Sequence, residues 1–250
     1  QCEDSIESIF TAIYNSYEEK RDHQDTVLCL DEELYLFAEY VRVAPDREKT
    51  LKVTRTLRRR FGEEDYVRLC MALSSPDTGK AQAVYRTVVS GISANCAPGH
   101  LFDNLADAAV HKAFALSRNA GKQYDHLRAF LRFSELESGM LYTRFGPKNN
   151  LLTFLMPHFA DRFSGENFVL HDELRGLYGV HPAGQEWYVI WDGELTVEEA
   201  GLPYSETELA YRGLFRQFCR TITIESRRNR ELQRNMLPLR FREYMVEFTT

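Results

Sequence analysis

A chain of 250 residues with 44% hydrophobic content can bury a full core, as one large domain or two small ones. No run of about 18 apolar residues occurs, and the first 20 residues alternate charged with apolar positions; the reading is a cytoplasmic protein without a membrane span or secretory signal. The net charge of −6 excludes a uniformly basic nucleic-acid binder, but residues 201–250 hold nine arginines, no lysine and six acids, a local +3 that leaves −9 on the first 200 residues.

Ser5 can cap a first helix whose apolar stripe is Ile6, Ile9, Phe10, Ile13 and Tyr17. Glu39 to Val43 reads as a short strand, and Asp46 caps a basic helix that ends at Phe61. Arg55, Arg58, Arg59 and Arg60 in that helix form a charge run with the character of a solvated face. Further helices fit 63–73, 77–94 and 103 to about 127. Leu141, Thr143 and Phe145 alternate with Met140, Tyr142 and Arg144, predicting a strand with Ala129 to Glu135 as its hairpin partner. Leu151, Leu155, His158, Phe159 and Arg162 recur at helical spacing, Gly165 ends that helix, and Phe168 to His171 starts another strand. Leu177 to His181 and Trp187 to Trp191 form a hairpin. Ser205, with Glu208 three residues on, opens a capping box for a helix that runs to about Arg228.

At 100° per residue, Arg212, Arg216, Arg220, Arg227, Arg230 and Arg234 fall within a stripe of about 80°. Tyr211, Leu214, Phe215, Phe218, Ile222, Leu232 and Met236 lie opposite. The expectation is therefore an apolar face docked on the core and arginines turned outward to phosphate, with about five of the six engaged on a duplex giving a salt slope of roughly −4 to −5. Glu225 and Asn229 fall on the apolar side and need partners; Asn229 can instead cap a separate helix starting at Arg230, which would break the stripe. His158 with Arg162, and His171 followed by Asp172, can make an acid–base pair or an anion site if helix and strand are neighbours. The alternative for each histidine is a hydrogen-bonded core residue. Five scattered cysteines lack CxxC or histidine pairing and read as free thiols, and no metal-ligand spacing occurs. GxxxxGK, GxGxxG, GxSxG and HExxH are absent, so no cofactor is named.

The strings FLRFSELESGMLY, LMPHFADRF, VLHD, ITIESRRN and LQRNMLPLRFREY, in this order, resemble an uncharacterised bacterial family of probable DNA metabolism proteins. The likeness covers nearly the whole chain from Glu3 to Ser8 onward. Matching positions are Arg132, Phe133, Glu135, Leu136, Gly139, Tyr142, Pro157, His158, Phe159, Arg162, Phe163, His171, Asp172, Arg227, Asn229, Gln233, Pro238 and Arg240. The resemblance implies DNA repair or modification beside a radical-SAM partner, in a domain that relatives fuse to a uracil-DNA-glycosylase-like domain. The chain departs at Arg230, where relatives often have proline, and at Glu243, where they have a basic residue. No glycosylase-like extension is present in the sequence.

The expected fold is α+β: a helix-rich amino-terminal half packed on a small, mostly antiparallel sheet, with long carboxy-terminal helices. One compact unit over 1–250 would divide into a helical half at 1–128 and an α+β half at 129–250, with the sheet within 129–191 and the last helices within 205–244. Three functions stand open. The first is a nucleic-acid-associated accessory protein that binds DNA or RNA through the six arginines with Arg132 and Arg162. The second is an enzyme acting through His158, His171, Asp172 and Glu225, and the third is a protein-interaction scaffold.

Overall fold

The computed structural model describes residues 1–30, 37–191, 203–227 and 229–248; the side chain of Glu225 also lies outside the description. The chain forms two compact units, Gln1–Lys122 and Gln123–Thr250. Together they give an α+β fold with helices dominating the amino-terminal half. Among the described residues no helix is long and apolar enough to cross a membrane.

In the first unit, helix α1 (Ile6–Glu18) begins where Ser5 accepts the Ser8 N–H, and it buries Ile9, Phe10 and Ile13. It packs on α2 (Arg47–Leu73), capped by Asp46, which accepts from Lys49 N. The two helices expected on either side of Phe61 and Glu63 are joined at Gly62, whose φ of +85° is open to glycine at no steric cost. Helix α3 (Lys80–Ser93) supplies Val84, Tyr85 and Val88 to the same core. A Cβ at Gly91 would run into Leu101 and the Phe61 ring, so any larger residue there would force those side chains to move. Glu39–Val43 does not form the expected strand. Only Val43 pairs, in an isolated parallel bridge to Cys2.

The residues of α4 (Ala108–Phe130) divide between the two units. Its second half overturns the expected strand at Ala129 to Glu135: the helix continues to Phe130, whose ring meets His126 and Phe241, and Arg132 donates to the carbonyls of Ala129 and Leu131. What remains is β1 (Ser134–Glu135), antiparallel to β2 (Leu141–Phe145). Helix α5 (Leu152–Arg162) then returns the chain to β3 (Phe168–Asp172), parallel to β2. Antiparallel β4 (Leu177–His181) and β5 (Tyr188–Trp191) complete a five-stranded sheet in the order β1-β2-β3-β4-β5. Three of its four pairings are antiparallel.

The helix expected to run from Ser205 to about Arg228 ends early, and the carboxy-terminal helices within 205–244 are shorter than expected. α6 (Glu206–Thr221) stops in the run Thr221-Ile222-Thr223-Ile224, where β-branched side chains disfavour helix and the two threonines donate back to Gln217 O and Cys219 O. A 3₁₀ turn (Glu225–Arg227) follows. Asn229 then accepts from Leu232 N at 2.9 Å and opens α7 (Arg230–Met236), so capping is its structural role; α8 (Leu239–Arg242) comes last.

Candidate functional site

Sheet register decides which candidate side chains share a face. β2, β3 and β4 align Thr143 with Leu170 and Gly179, and Arg144 with His171 and Tyr178. A Cβ at Gly179 would strike Met156 and Leu152 of α5, so Gly179, Leu170 and the residues two steps away face that helix. His171, one residue out of phase, faces the opposite side. His158 and Arg162 ride on α5, so the sheet lies between them and His171, and the register does not bring the expected pair together.

Each member has a neighbourhood of its own. The His171 ring stacks on Tyr178 (centroids 4.2 Å apart, planes 2° apart), and its Nδ1 lies 2.9 Å from the Tyr142 hydroxyl. Asp172 is fully buried; its carboxylate accepts from Leu174 N and from Arg175 at 2.9 Å. Arg175 also donates to Pro147 O and Lys148 O, tying the turn after β3 to the loop after β2. Burial pushes the Asp172 carboxyl up, against the pull of Arg175. His158 is half-buried, edge-on to Phe159 at 5.0 Å; desolvation first, then the charges of Arg128 and Arg162, hold its imidazole below the ordinary value. The fourth candidate, Glu225, has a side chain outside the described residues. Among the described residues no group of three His, Cys, Asp or Glu is placed to hold a metal.

The arginine stripe is also divided, and α6 is turned the opposite way from expectation. Its inward residues are polar: Ser205, Glu208, Arg212 and Arg216 are half-buried at helical spacing. Arg212 donates to Glu208 at 2.8 Å and to the Ser134 hydroxyl at 2.7 Å, and its guanidinium lies 4.0 Å from the Tyr204 ring centroid. Arg216 donates to Val246 O. β1 is an edge strand, and α6 begins against it. Ser205 N donates to Glu135 O, Glu137 N donates to Pro203 O, and Glu208 accepts from Glu135 N. Such an edge offers N–H and C=O groups that only polar partners can satisfy. The helix therefore docks by its polar line, and Glu208 completes the sheet edge in place of the reciprocal half of a capping box.

The apolar face is left outside. No residue of α6 is buried: Tyr211, Leu214, Phe215 and Phe218 are exposed, Phe218 by 56%. They line an open groove of about 550 Å³ with Phe133, Arg132 and Val246. Arg220, Arg227, Arg230 and Arg234 are exposed, as is Arg162. The sequence signal for this arrangement was the polar line at 205, 208, 212 and 216, which the arginine count obscured. Tyr204, Arg175 and Tyr178 had no signal of their own, since each acts through a partner distant in the chain.

No curated protein and no solved structure matches the chain. A model of the family described as domain of unknown function DUF4130 matches residues 78–247, more than half of the chain. The chain therefore belongs to the DUF4130 family.

Proposed function

We propose that this protein is a nucleic-acid-associated accessory protein of DNA repair or modification, acting beside a radical-SAM partner, and that its carboxy-terminal segment is the contact surface for single-stranded DNA or RNA. The observation that carries the reading is the joint exposure, on one short segment, of four arginines (Arg220, Arg227, Arg230, Arg234) and the aromatic side chains Tyr211, Phe215 and Phe218. Arginines follow a phosphate backbone, and exposed aromatic faces stack unpaired bases whatever their sequence. Duplex DNA offers the phosphates and keeps its base faces covered. The resemblance of the FLRFSELESGMLY and LQRNMLPLRFREY strings supplies the DNA context and the partner.

Fluorescence anisotropy with a labelled single strand and the matching duplex tests this. Tighter binding of the single strand, weakened by Phe218→Ala, is expected; equal binding of both forms, unaffected by that substitution, would remove the stacking role. A second reading, a protein-docking surface, is favoured by the apolar lining of the groove beside α6. Enzymatic use of His158 with His171 gains no support from a sheet that lies between them.

A further inference from the structure

Two cysteines separated by 27 positions in the sequence meet in the first unit. The Cys2 N–H donates to Cys29 O at 2.9 Å, while Cys2 bridges to Val43 on its other side. One N–H···O bond of 2.9 Å, added to the covalent reach of that N and O to their own Cα atoms, keeps the two Cα atoms within about 6.7 Å of each other. That lies inside the window of about 4.4–6.8 Å that a disulfide spans. Both residues line the same cavity, together with Asn15, Glu19 and Asp22. Both thiols are free; Cys2 is buried and Cys29 half-buried. Burial pushes the Cys2 thiol up to about 11, and the neighbouring Cys29 adds to the rise. Cys2 therefore stays a thiol at neutral pH, and the more exposed Cys29 is the first to meet an oxidant.

We infer that Cys2 and Cys29 form a reversible disulfide modification site that staples the amino-terminal segment to the segment preceding Leu30, with a small-molecule disulfide as oxidant. The Cys29 thiolate attacks one sulfur of the reagent, breaking its S–S bond and releasing one thiolate, which takes up the proton that Cys29 shed. Cys2 then loses its proton and attacks the Cys29 sulfur, expelling the second reagent half as a thiol. Two protein thiols are oxidised, and one disulfide is reduced to two thiols. The closed loop contains α1, so the oxidised chain unfolds at a higher temperature than the reduced one.

The test incubates the full folded chain with oxidised glutathione, blocks remaining thiols with an alkylating reagent and maps the peptides by mass spectrometry. The expected product has lost two hydrogens, retains no glutathione and joins the peptides holding Cys2 and Cys29. Cys2→Ser should instead trap glutathione on Cys29. Should that variant fail to fold, the wild-type peptide map decides alone. A wild-type chain that keeps glutathione on Cys29 with Cys2 alkylated, that joins Cys29 to another cysteine, or that is unchanged in mass overturns the inference.

Discussion

α1 and α6 are both amphipathic and both opened by a serine cap, yet they meet their neighbours with opposite faces. α1 meets another helix, so burial of Ile9, Phe10 and Ile13 sets its orientation. α6 meets an edge strand, where the groups to be satisfied are Glu135 N, Glu135 O and the Ser134 hydroxyl, and a line of serine, glutamate and arginine satisfies them. Amphipathicity states that two faces differ. Which face docks depends on whether the neighbour offers apolar area or unpaired polar groups.

The sharpest break between the two helices is aromatic truncation. Phe10→Ala should cost about 3–5 kcal/mol, as a fully buried ring leaves a cavity. Phe218→Ala should stay within about 0.5 kcal/mol, since its ring is more than half exposed. Chemical denaturation of both variants checks this; equal losses would mean that the α6 aromatics are buried. Next in size is Arg212→Ala, which should cost about 1–3 kcal/mol by removing the guanidinium that donates to Ser134 and to one oxygen of Glu208. Arg220→Ala, on the exposed side of the same helix, should leave stability unchanged.

Local signals were legible in the sequence. Asp46, Ser205 and Asn229 cap where their side chains indicate, and the β4–β5 hairpin and α5 lie where alternation and helical spacing place them. Non-local choices were hidden. The apolar run at Ala129 to Phe133 suits a helix or a strand, and contact of Phe130 with Phe241 settles it as helix end. All five residues of β3 are buried, so no alternation shows which way His171 points, and only the register with β4 does. The histidines belong to consecutive elements, and a one-residue difference in strand phase puts the sheet between them.

Two smaller effects sharpen the contrast. Asn229→Ala removes the side-chain acceptor for Leu232 N and should cost about 1 kcal/mol, seen as faster amide exchange in α7 and none in α1. The pH dependence of His158 should be smaller still. Its imidazole is depressed, so the folded state binds fewer protons than the unfolded one, and stability falls as pH drops below about 6.5. His158→Gln should flatten that fall in melting temperature; an unaltered profile would place the acid sensitivity elsewhere.

The central claim is that Arg212 is held on the sheet edge and Arg216 on Val246 O, while Arg220, Arg227, Arg230 and Arg234 are left to a polyanion. The salt dependence of single-strand binding tests it most directly. With four arginines engaged, log affinity should fall against log salt with a slope of about −3, Arg220→Ala should shrink that slope by about 0.7, and Phe218→Ala should weaken binding with the slope intact. Absence of binding at low salt, or a slope that Arg220→Ala leaves unchanged, would contradict it.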